Sequence, residues 1–158
     1  ALLGRALGHA AHEQPYEDVL YQELLAPLGM HTSTFSVPAA LRAGAAAGFD
    51  AEGKPVVLER TCVPAPGAPG SWEAPCGCLW ASADHMASLV KALFVRRGQA
   101  GAVIAPDTVS EMLEPQVLLR DGSSAVGAPW EMKYSSGVWI KSKQGELPGW
   151  VLQLSPSQ

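Results

Sequence analysis

SGVWI at residues 136–140 and WVLQL at residues 150–154 have the composition of β-strands, because β-branched and aromatic residues dominate both. A turn that contains glycine and proline separates them. Earlier in the chain the apolar residues recur instead at a helical period of about 3.6. This change of period predicts an α+β fold in which helices pack against an antiparallel sheet.

Four helices are predicted from apolar spacing, proline positions and caps. The first is indicated by Leu2, Leu3, Leu7 and Ala10 or Ala11, and the second runs from about residue 16 to residue 26, before Pro27. Ser82 or Asp84 can cap the third helix, which Gly98 closes, and the fourth starts at Pro106 and ends before Pro115. The predicted apolar stripe of the third helix consists of Met86, Leu89, Val90, Leu93 and Phe94.

Between the second and third helices, the pattern predicts a hairpin followed by a surface loop. Asp50 and Gly53 lie in a turn that separates residues 48–49 from residues 56–58. Residues 63–75 are rich in Pro, Gly and Ala, and we expect Trp72 to pack on the surface there. Gly29 suits a left-handed helix cap.

Composition excludes several classes of function. The chain has 158 residues and a formal net charge of -4, which argues against a nucleic-acid partner. Its apolar runs are shorter than the roughly 18 residues expected of a transmembrane helix. It lacks a phosphate-binding glycine loop, and His9 with His12 is a weak metal pair, so no cofactor is expected.

The three cysteines, Cys62, Cys76 and Cys78, leave the redox compartment open. Cys76 and Cys78 are too close together for a zinc-binding CxxC pair. A disulfide from Cys62 to one of the pair and buried free thiols are both compatible with this pattern.

A Ser-x-x-Lys match occurs at Ser88 and Lys91, where one helical turn can place an amine beside a hydroxyl. We interpret it as a chance match on a packing helix. Enzymes that use this motif also need a Tyr-x-Asn or Ser-x-Asn element, and the chain contains no asparagine.

Three segments together resemble the family of class C beta-lactamases, penicillin-binding proteins and DD-peptidases. LLAPLGMHTSTF at residues 24–35 resembles the family's Pro-Leu-Gly-Met-x-x-Thr-x-Phe. PCGCLWASADHM at residues 75–86 resembles Pro-Ala-Gly-Gly-Leu-x-Ser-Thr-x-x-Asp-Met, and KQGELPGW at residues 143–150 resembles Lys/His-Thr-Gly followed by Gly-Phe or Gly-Tyr. Among relatives, the chain looks most like the divergent beta-lactamase-like proteins of animals.

The resemblance implies site residues in the third segment. Lys143 would be the cation at the substrate-binding edge of the sheet, and Gly145 the residue that allows close approach of substrate. Gln144 replaces the family's threonine, so the hydroxyl is lost. The alternative register Lys141-Ser142-Lys143 keeps the hydroxyl but places lysine where glycine is needed, and Lys143 can also be a simple turn lysine.

The resemblance also implies a partial beta-lactamase/transpeptidase-like fold. Residues 1–158 would be the middle and C-terminal part of one such domain, truncated at both ends, with the nucleophile motif upstream of residue 1. The full-length parent would then hydrolyse an amide or ester in a small-molecule or peptide-like substrate. This chain alone would be inactive.

The rival hypothesis is a non-catalytic binding or scaffolding protein that retains the fold, and the replacement of threonine by Gln144 favours it slightly. The family's habits imply a secreted or membrane-anchored setting. We therefore leave open, from the sequence, whether the parent is an enzyme.

Overall fold

The computed structural model describes residues 1–56, 62, 71–95, 102–147 and 149–155. The chain divides into two compact units. The first consists of Ala1–Ser88 with Leu147–Trp150, and the second of Leu89–Glu146 with Val151–Gln158. The combination of helices with antiparallel sheets confirms the predicted α+β class.

Helix α1, Leu2–Ala10, confirms the first predicted helix, but its leucines are exposed. Its buried residues are Gly4 and Gly8. A side chain at Gly4 would overlap the ring of Pro75, and one at Gly8 would lie 2.5 Å from the carbonyl oxygen of Gln14. The helix therefore packs through its glycines, which allow close backbone approach.

Helix α2, Tyr16–Leu20, continues as a π-helical segment, Tyr21–Leu25. Together they match the second predicted helix, and Val19 and Leu25 from its apolar face are buried. Gly29 follows with a φ of +76°, as its cap position predicts. The short helix α3, Val37–Arg42, begins where the hydroxyl of Ser36 accepts a hydrogen bond from the amide of Ala39 at 3.3 Å.

The predicted hairpin is formed by β1, Gly48–Phe49, and β2, Pro55–Val56. The Asp50 carboxylate accepts hydrogen bonds from the amides of Glu52 at 3.0 Å and Lys54 at 2.8 Å. Gly53 has a φ of +78°, which explains the glycine in this turn. The predicted strand residues Val57 and Leu58 lie outside the described residues.

Part of the predicted loop at residues 63–75 is helical instead. Residues 63–70 lie outside the described part of the chain, but Ala74–Gly77 form the single turn α4. Trp72 is 55% exposed, as expected of a surface position, and the Arg5 guanidinium lies 5.6 Å from its ring centroid.

The cysteine alternatives are resolved in favour of a disulfide. Cys62 is bonded to Cys78 with a Cα–Cα distance of 5.4 Å, and both are buried. Cys76 is a free, exposed thiol.

Helix α5, Ala83–Val90, continues as a π-helical segment, Lys91–Val95. The hydroxyl of Ser82 accepts a hydrogen bond from the His85 amide at 3.2 Å, so Ser82 rather than Asp84 caps this helix. Helix α6, Pro106–Met112, has proline in its first turn as predicted. The predicted closing residue Gly98 lies outside the described residues.

A five-stranded sheet has the order β3-β4-β5-β6-β7, so strands that follow one another in the chain are neighbours in the sheet. Its strands are β3 Val117–Leu118, β4 Ser124–Val126, β5 Glu131–Ser135, β6 Val138–Leu147 and β7 Trp150–Leu154. The pairs β3–β4, β4–β5 and β5–β6 are antiparallel. All described residues of the sheet except Leu147 and Trp150 belong to the second unit.

The core of the second unit lies between its helical segments and the sheet. The helical segments contribute Leu93, Val109 and Leu113, and the sheet side contributes Ala125, Trp130 and Met132.

Two aspects of the strand prediction were wrong. Ser136 and Gly137 form a turn rather than the start of a strand, with φ values of +51° and +87°. Ser135 pairs with Val138 across this two-residue turn, whose positive φ values match the twist of a hairpin. Strands β3, β4 and β5 were not predicted, because they are short or alternate with exposed polar residues.

Candidate functional site

Strand β6 carries Lys143, the cation expected from the third sequence segment. Its ammonium donates a hydrogen bond of 2.7 Å to Glu131 Oε1 and one of 2.8 Å to the Gln144 carbonyl oxygen. Glu131 begins β5, and its register partner on β6 is Ser142, beside Lys143. The two charged side chains are 42% and 56% exposed, so solvent screens this ion pair and it adds little to stability.

Gly145, two residues further along β6, has an open surface around it. A side chain added at Gly145 would meet no atom of the described residues within 4 Å. Packing within the described residues therefore does not require glycine at position 145. If glycine is needed here, the reason would be close approach of a bound substrate to this exposed strand. Gln144, between Lys143 and Gly145, is exposed.

The alternative register places Lys141 as the cation, and the geometry argues against it. Lys141 is only 7% exposed, and its ammonium makes a long contact of 3.4 Å with the Trp139 carbonyl oxygen. The Ser142 hydroxyl donates to the Glu131 carbonyl oxygen at 3.3 Å. Because Lys141 is buried while Lys143 is half-exposed, Lys143 is the better placed of the two to meet a ligand.

The Gly149-Trp150 pair that ends the third segment is a packing element of the first unit. Gly149 has a φ of +83°, and a side chain there would lie 2.9 Å from the Phe49 amide nitrogen. The Trp150 indole donates a hydrogen bond of 3.1 Å to the Ala46 carbonyl oxygen. Its ring lies against Gly48 and meets Trp80 edge to face, with centroids 5.6 Å apart.

The first two sequence segments are joined directly in the first unit. Thr34 and Trp80 form an isolated β-bridge with two hydrogen bonds, of 3.0 Å and 2.8 Å. Next to it, the Ser33 hydroxyl lies 2.9 Å from His85 Nδ1. Residues 24–35 and 75–86 therefore form one structural unit, as their joint resemblance to a single family predicts.

The Ser33–His85 pair was missed by the sequence analysis, which considered histidines only as metal ligands. Ser33 is 5% exposed, so the imidazole provides the hydrogen-bond partner that a buried hydroxyl requires. The available signal was the joint resemblance of the two segments to one family, since Ser33 lies in the first and His85 in the second.

The remaining sequence candidates do not form a site among the described residues. The Ser88 hydroxyl donates to the Asp84 carbonyl oxygen at 3.2 Å, a typical arrangement for serine in a helix. His9 lies 2.5 Å from the Glu13 carboxylate, and both side chains are 76% exposed. Within the described ranges, no three His, Cys, Asp or Glu side chains are grouped so that they could hold a metal ion.

Among the described helices, none has the length and apolar character that crossing a bilayer requires.

Comparison with known proteins places these segments in context. A family model described as Beta-lactamase matches residues 1–153. The Beta-lactamase-like protein 4 of Dictyostelium discoideum is 28% identical over 98% of this chain. A human protein, Putative beta-lactamase-like 1, is 27% identical over 98% of the chain.

The fold has experimentally determined counterparts. The D-alanine carboxypeptidase AmpC from Burkholderia cenocepacia superposes with a TM-score of 0.74 at 18% identity, over 98% of this chain and 50% of that structure. The chain spans 28% and 29% of the lengths of the Dictyostelium and human relatives. At this level of identity the superposition establishes the fold, and the resemblance predicted from the three segments is confirmed.

Proposed function

The chain belongs to the Beta-lactamase family, and from this membership we propose that the whole protein is a serine hydrolase that attacks an amide or ester carbonyl. The serine nucleophile would lie in sequence upstream of residue 1. Residues 1–158 would supply the middle and C-terminal part of one domain. The substrate would be a small molecule or a peptide-like compound.

Lys143 on β6 carries this proposal within the chain. It is a half-exposed cation on a strand next to Gly145, whose surroundings are open. In a hydrolase, such a cation would bind a substrate carboxylate or stabilise negative charge that develops in the transition state. An approaching substrate would have to compete with Glu131 for the Lys143 ammonium.

The 158-residue chain alone is expected to be inactive, and a fluorophosphonate probe tests this directly. The probe phosphonylates activated serines with loss of fluoride, so it should leave this chain unlabelled and label a longer chain that includes the upstream sequence. The Ser88→Ala variant of the longer chain should be labelled as fully as the unmodified one. Labelling of the 158-residue chain would overturn the assignment of the nucleophile to the upstream sequence.

The second candidate is a non-catalytic protein that retains the fold. Gln144 favours this non-catalytic candidate because it replaces the threonine hydroxyl of the third motif. The Lys143–Glu131 ion pair also favours it, because the Lys143 ammonium already has a partner. An intact Ser-x-x-Lys and Tyr-x-Asn in the upstream sequence, with labelling of the serine by the fluorophosphonate probe, would support the enzyme. Their replacement would support the scaffold.

The Cys62–Cys78 disulfide supports a secreted or otherwise oxidising location for the protein. Disulfides persist in such compartments and are rare in the cytosol. The resemblance to the family implies the same kind of location, and we propose the location together with the function.

A further inference from the structure

The first unit contains a cavity of about 610 Å³, a volume within the range of roughly 300–1,000 Å³ that small-molecule sites have. Its described walls come from residues 15–25, which include helix α2, from residues 33–38 and from Cys62. No described residue of the third sequence segment lines it. The residues of this cavity are therefore none of those assigned to the proposed hydrolase.

The walls of the cavity are held by contacts within the first unit. The Phe35 ring on the wall meets Tyr16 edge to face, with ring centroids 5.8 Å apart. The backbone of Thr34 pairs with Trp80, and Cys62 is fixed by its disulfide. A cavity formed in this way before a ligand arrives is typical of small-molecule sites.

The charge on the walls is entirely negative. Glu17 and Asp18 line the cavity, and none of the other described lining residues carries a charge. Within the described ranges, neither carboxylate forms an ion pair. One oxygen of Glu17, Oε2, is buried and has no hydrogen-bond partner there. A buried charged group without a partner is costly, so this carboxylate points to a cation that supplies the missing contact.

The start of helix α2 explains only part of this negative charge. Glu17 and Asp18 lie in its first turn, where the helix dipole favours acidic side chains. An exposed carboxylate satisfies that preference, as Asp18 does. The dipole gives the buried oxygen of Glu17 no hydrogen bond, and a cation in the cavity accounts for that oxygen.

The rest of the wall suits the apolar part of a ligand. Leu25 is 2% exposed and Val37 is partly buried, so both present aliphatic surface. The aromatic rings of Tyr21 and Phe35 also line the cavity. Aromatic rings attract organic cations through their negative faces, in addition to packing against apolar groups.

We propose that this cavity binds a small organic cation, an alkylamine or arylamine. Its ammonium group contacts the Glu17 carboxylate, and its apolar body packs against Leu25 and Phe35. The charge of a carboxylate is shared by its two oxygens, so a cation at the wall also compensates the buried Oε2. Ligands that carry a carboxylate are excluded, because two negative charges face them and the described wall offers no positive one.

Three probes of nearly equal size and different charge test the proposal on the longer chain that includes the upstream sequence. They are 4-phenylbutylamine, 4-phenyl-1-butanol and 4-phenylbutyrate at neutral pH, measured by calorimetric titration and by saturation-transfer NMR. The amine should bind about 10-fold more tightly than the alcohol, because hydrogen bonds to charged groups are the stronger ones. The carboxylate should bind least. Equal binding of the amine and the alcohol, or binding of none of the three, would overturn the proposal.

A matched pair of variants assigns the binding to Glu17. Glu17→Gln should weaken binding of the amine about 10-fold and leave that of the alcohol unchanged. Glu23→Gln removes the same charge from an exposed position on the same helical stretch, off the cavity wall, and should change neither. Full binding of the amine to Glu17→Gln would refute the site. Should Glu17→Gln fail to fold, NMR shifts induced by the amine in the unmodified protein decide instead: changes at the Tyr21 and Phe35 rings support the site, and changes confined to other residues overturn it.

Discussion

At the scale of single residues, Lys143 has the clearest proposed role. In the longer protein, replacing Lys143 by alanine should lower kcat/KM by about 100-fold, because one preorganised charge-stabilising group is lost. The matched control is Lys133→Ala, since Lys133 is an exposed lysine on the neighbouring strand β5. Steady-state kinetics on an ester substrate would measure both. Equal activities for the two variants would contradict the proposed role of Lys143.

Two glycines on the second unit separate a role in packing from a role in binding. A side chain at Gly127 would overlap Met132 and lie 3.0 Å from the Glu114 carbonyl oxygen, so Gly127→Ala should destabilise the protein by about 2 kcal/mol. Gly145→Ala should leave the free energy of unfolding unchanged, because nothing lies within 4 Å of the added methyl group.

The same pair tests the proposed site. In the longer protein, Gly145→Ala should lower activity without lowering the melting temperature, and Gly127→Ala should lower the melting temperature. Thermal denaturation and kinetics on each variant provide the comparison. A loss of stability in Gly145→Ala equal to that of Gly127→Ala would mean that Gly145 is a structural residue.

At the scale of elements, the turn between β3 and β4 depends on one carboxylate. Asp121 accepts hydrogen bonds from the Ser124 hydroxyl at 2.6 Å and from the Ser124 and Ser123 amides at 2.9 Å and 3.1 Å. The hydrogen bond from the Ser124 side chain, followed by those from the backbone, lowers the pKa of Asp121 below its usual range. The charged carboxylate is therefore the form that the turn binds.

The sign of the pH dependence follows from this. A carboxylate whose pKa is lowered by folding stabilises the folded state above its usual pKa, and the stabilisation is lost as the pH falls through the lowered value. An NMR titration should show the Ser123 and Ser124 amide signals moving together with the Asp121 carboxyl signal in acid. In the Asp121→Asn variant the amide signals should not move with that titration. Independent titration of the amides and the carboxyl would argue against the turn.

The helices were the elements best predicted from sequence, and the strands the least. Proline and a capping serine fixed the ends of α5 and α6 because these residues act on their own local backbone. Strand β5 went unpredicted because only Met132 of its five residues is buried, so its pattern is mostly polar. The assignment of Ser136 to a strand was wrong because the hairpin turn sets its positive φ. The local preference of serine does not indicate that conformation.

The candidate site was predictable only in part. Lys143 and Gly145 were identified by resemblance, yet the partner Glu131 lies 12 residues earlier and depends on the register of β5 with β6. The Ser33–His85 contact likewise joins residues separated by 52 positions. Long-range contacts of this kind follow from topology, which the local pattern does not determine.

At the scale of the whole molecule, both units expose large apolar side chains. In the first unit Leu2 and Leu3 of α1 are 75% and 85% exposed. In the second, Val138 and Ile140 of β6 and Val151 of β7 are 55%, 44% and 69% exposed. Exposed apolar area on this scale favours association or loose packing.

We therefore expect the 158-residue chain on its own to aggregate or to unfold without a sharp transition. It should bind the dye ANS, and the longer protein at equal concentration should bind less. Calorimetry and light scattering would measure the transition and the association. A monomer with a sharp, cooperative melting transition would contradict this expectation. It would show that the 158-residue chain is stable with these apolar side chains exposed to solvent.

The contact of Trp150 with Gly48 has a practical consequence for exchanging segments with relatives. The indole ring occupies the space that a side chain at residue 48 would need, and its nitrogen is bonded to Ala46. A chimera that imports a different residue at position 150 will leave a void or a collision unless residues 46–49 come from the same donor. These two stretches, about a hundred positions apart, are best inherited together as one module.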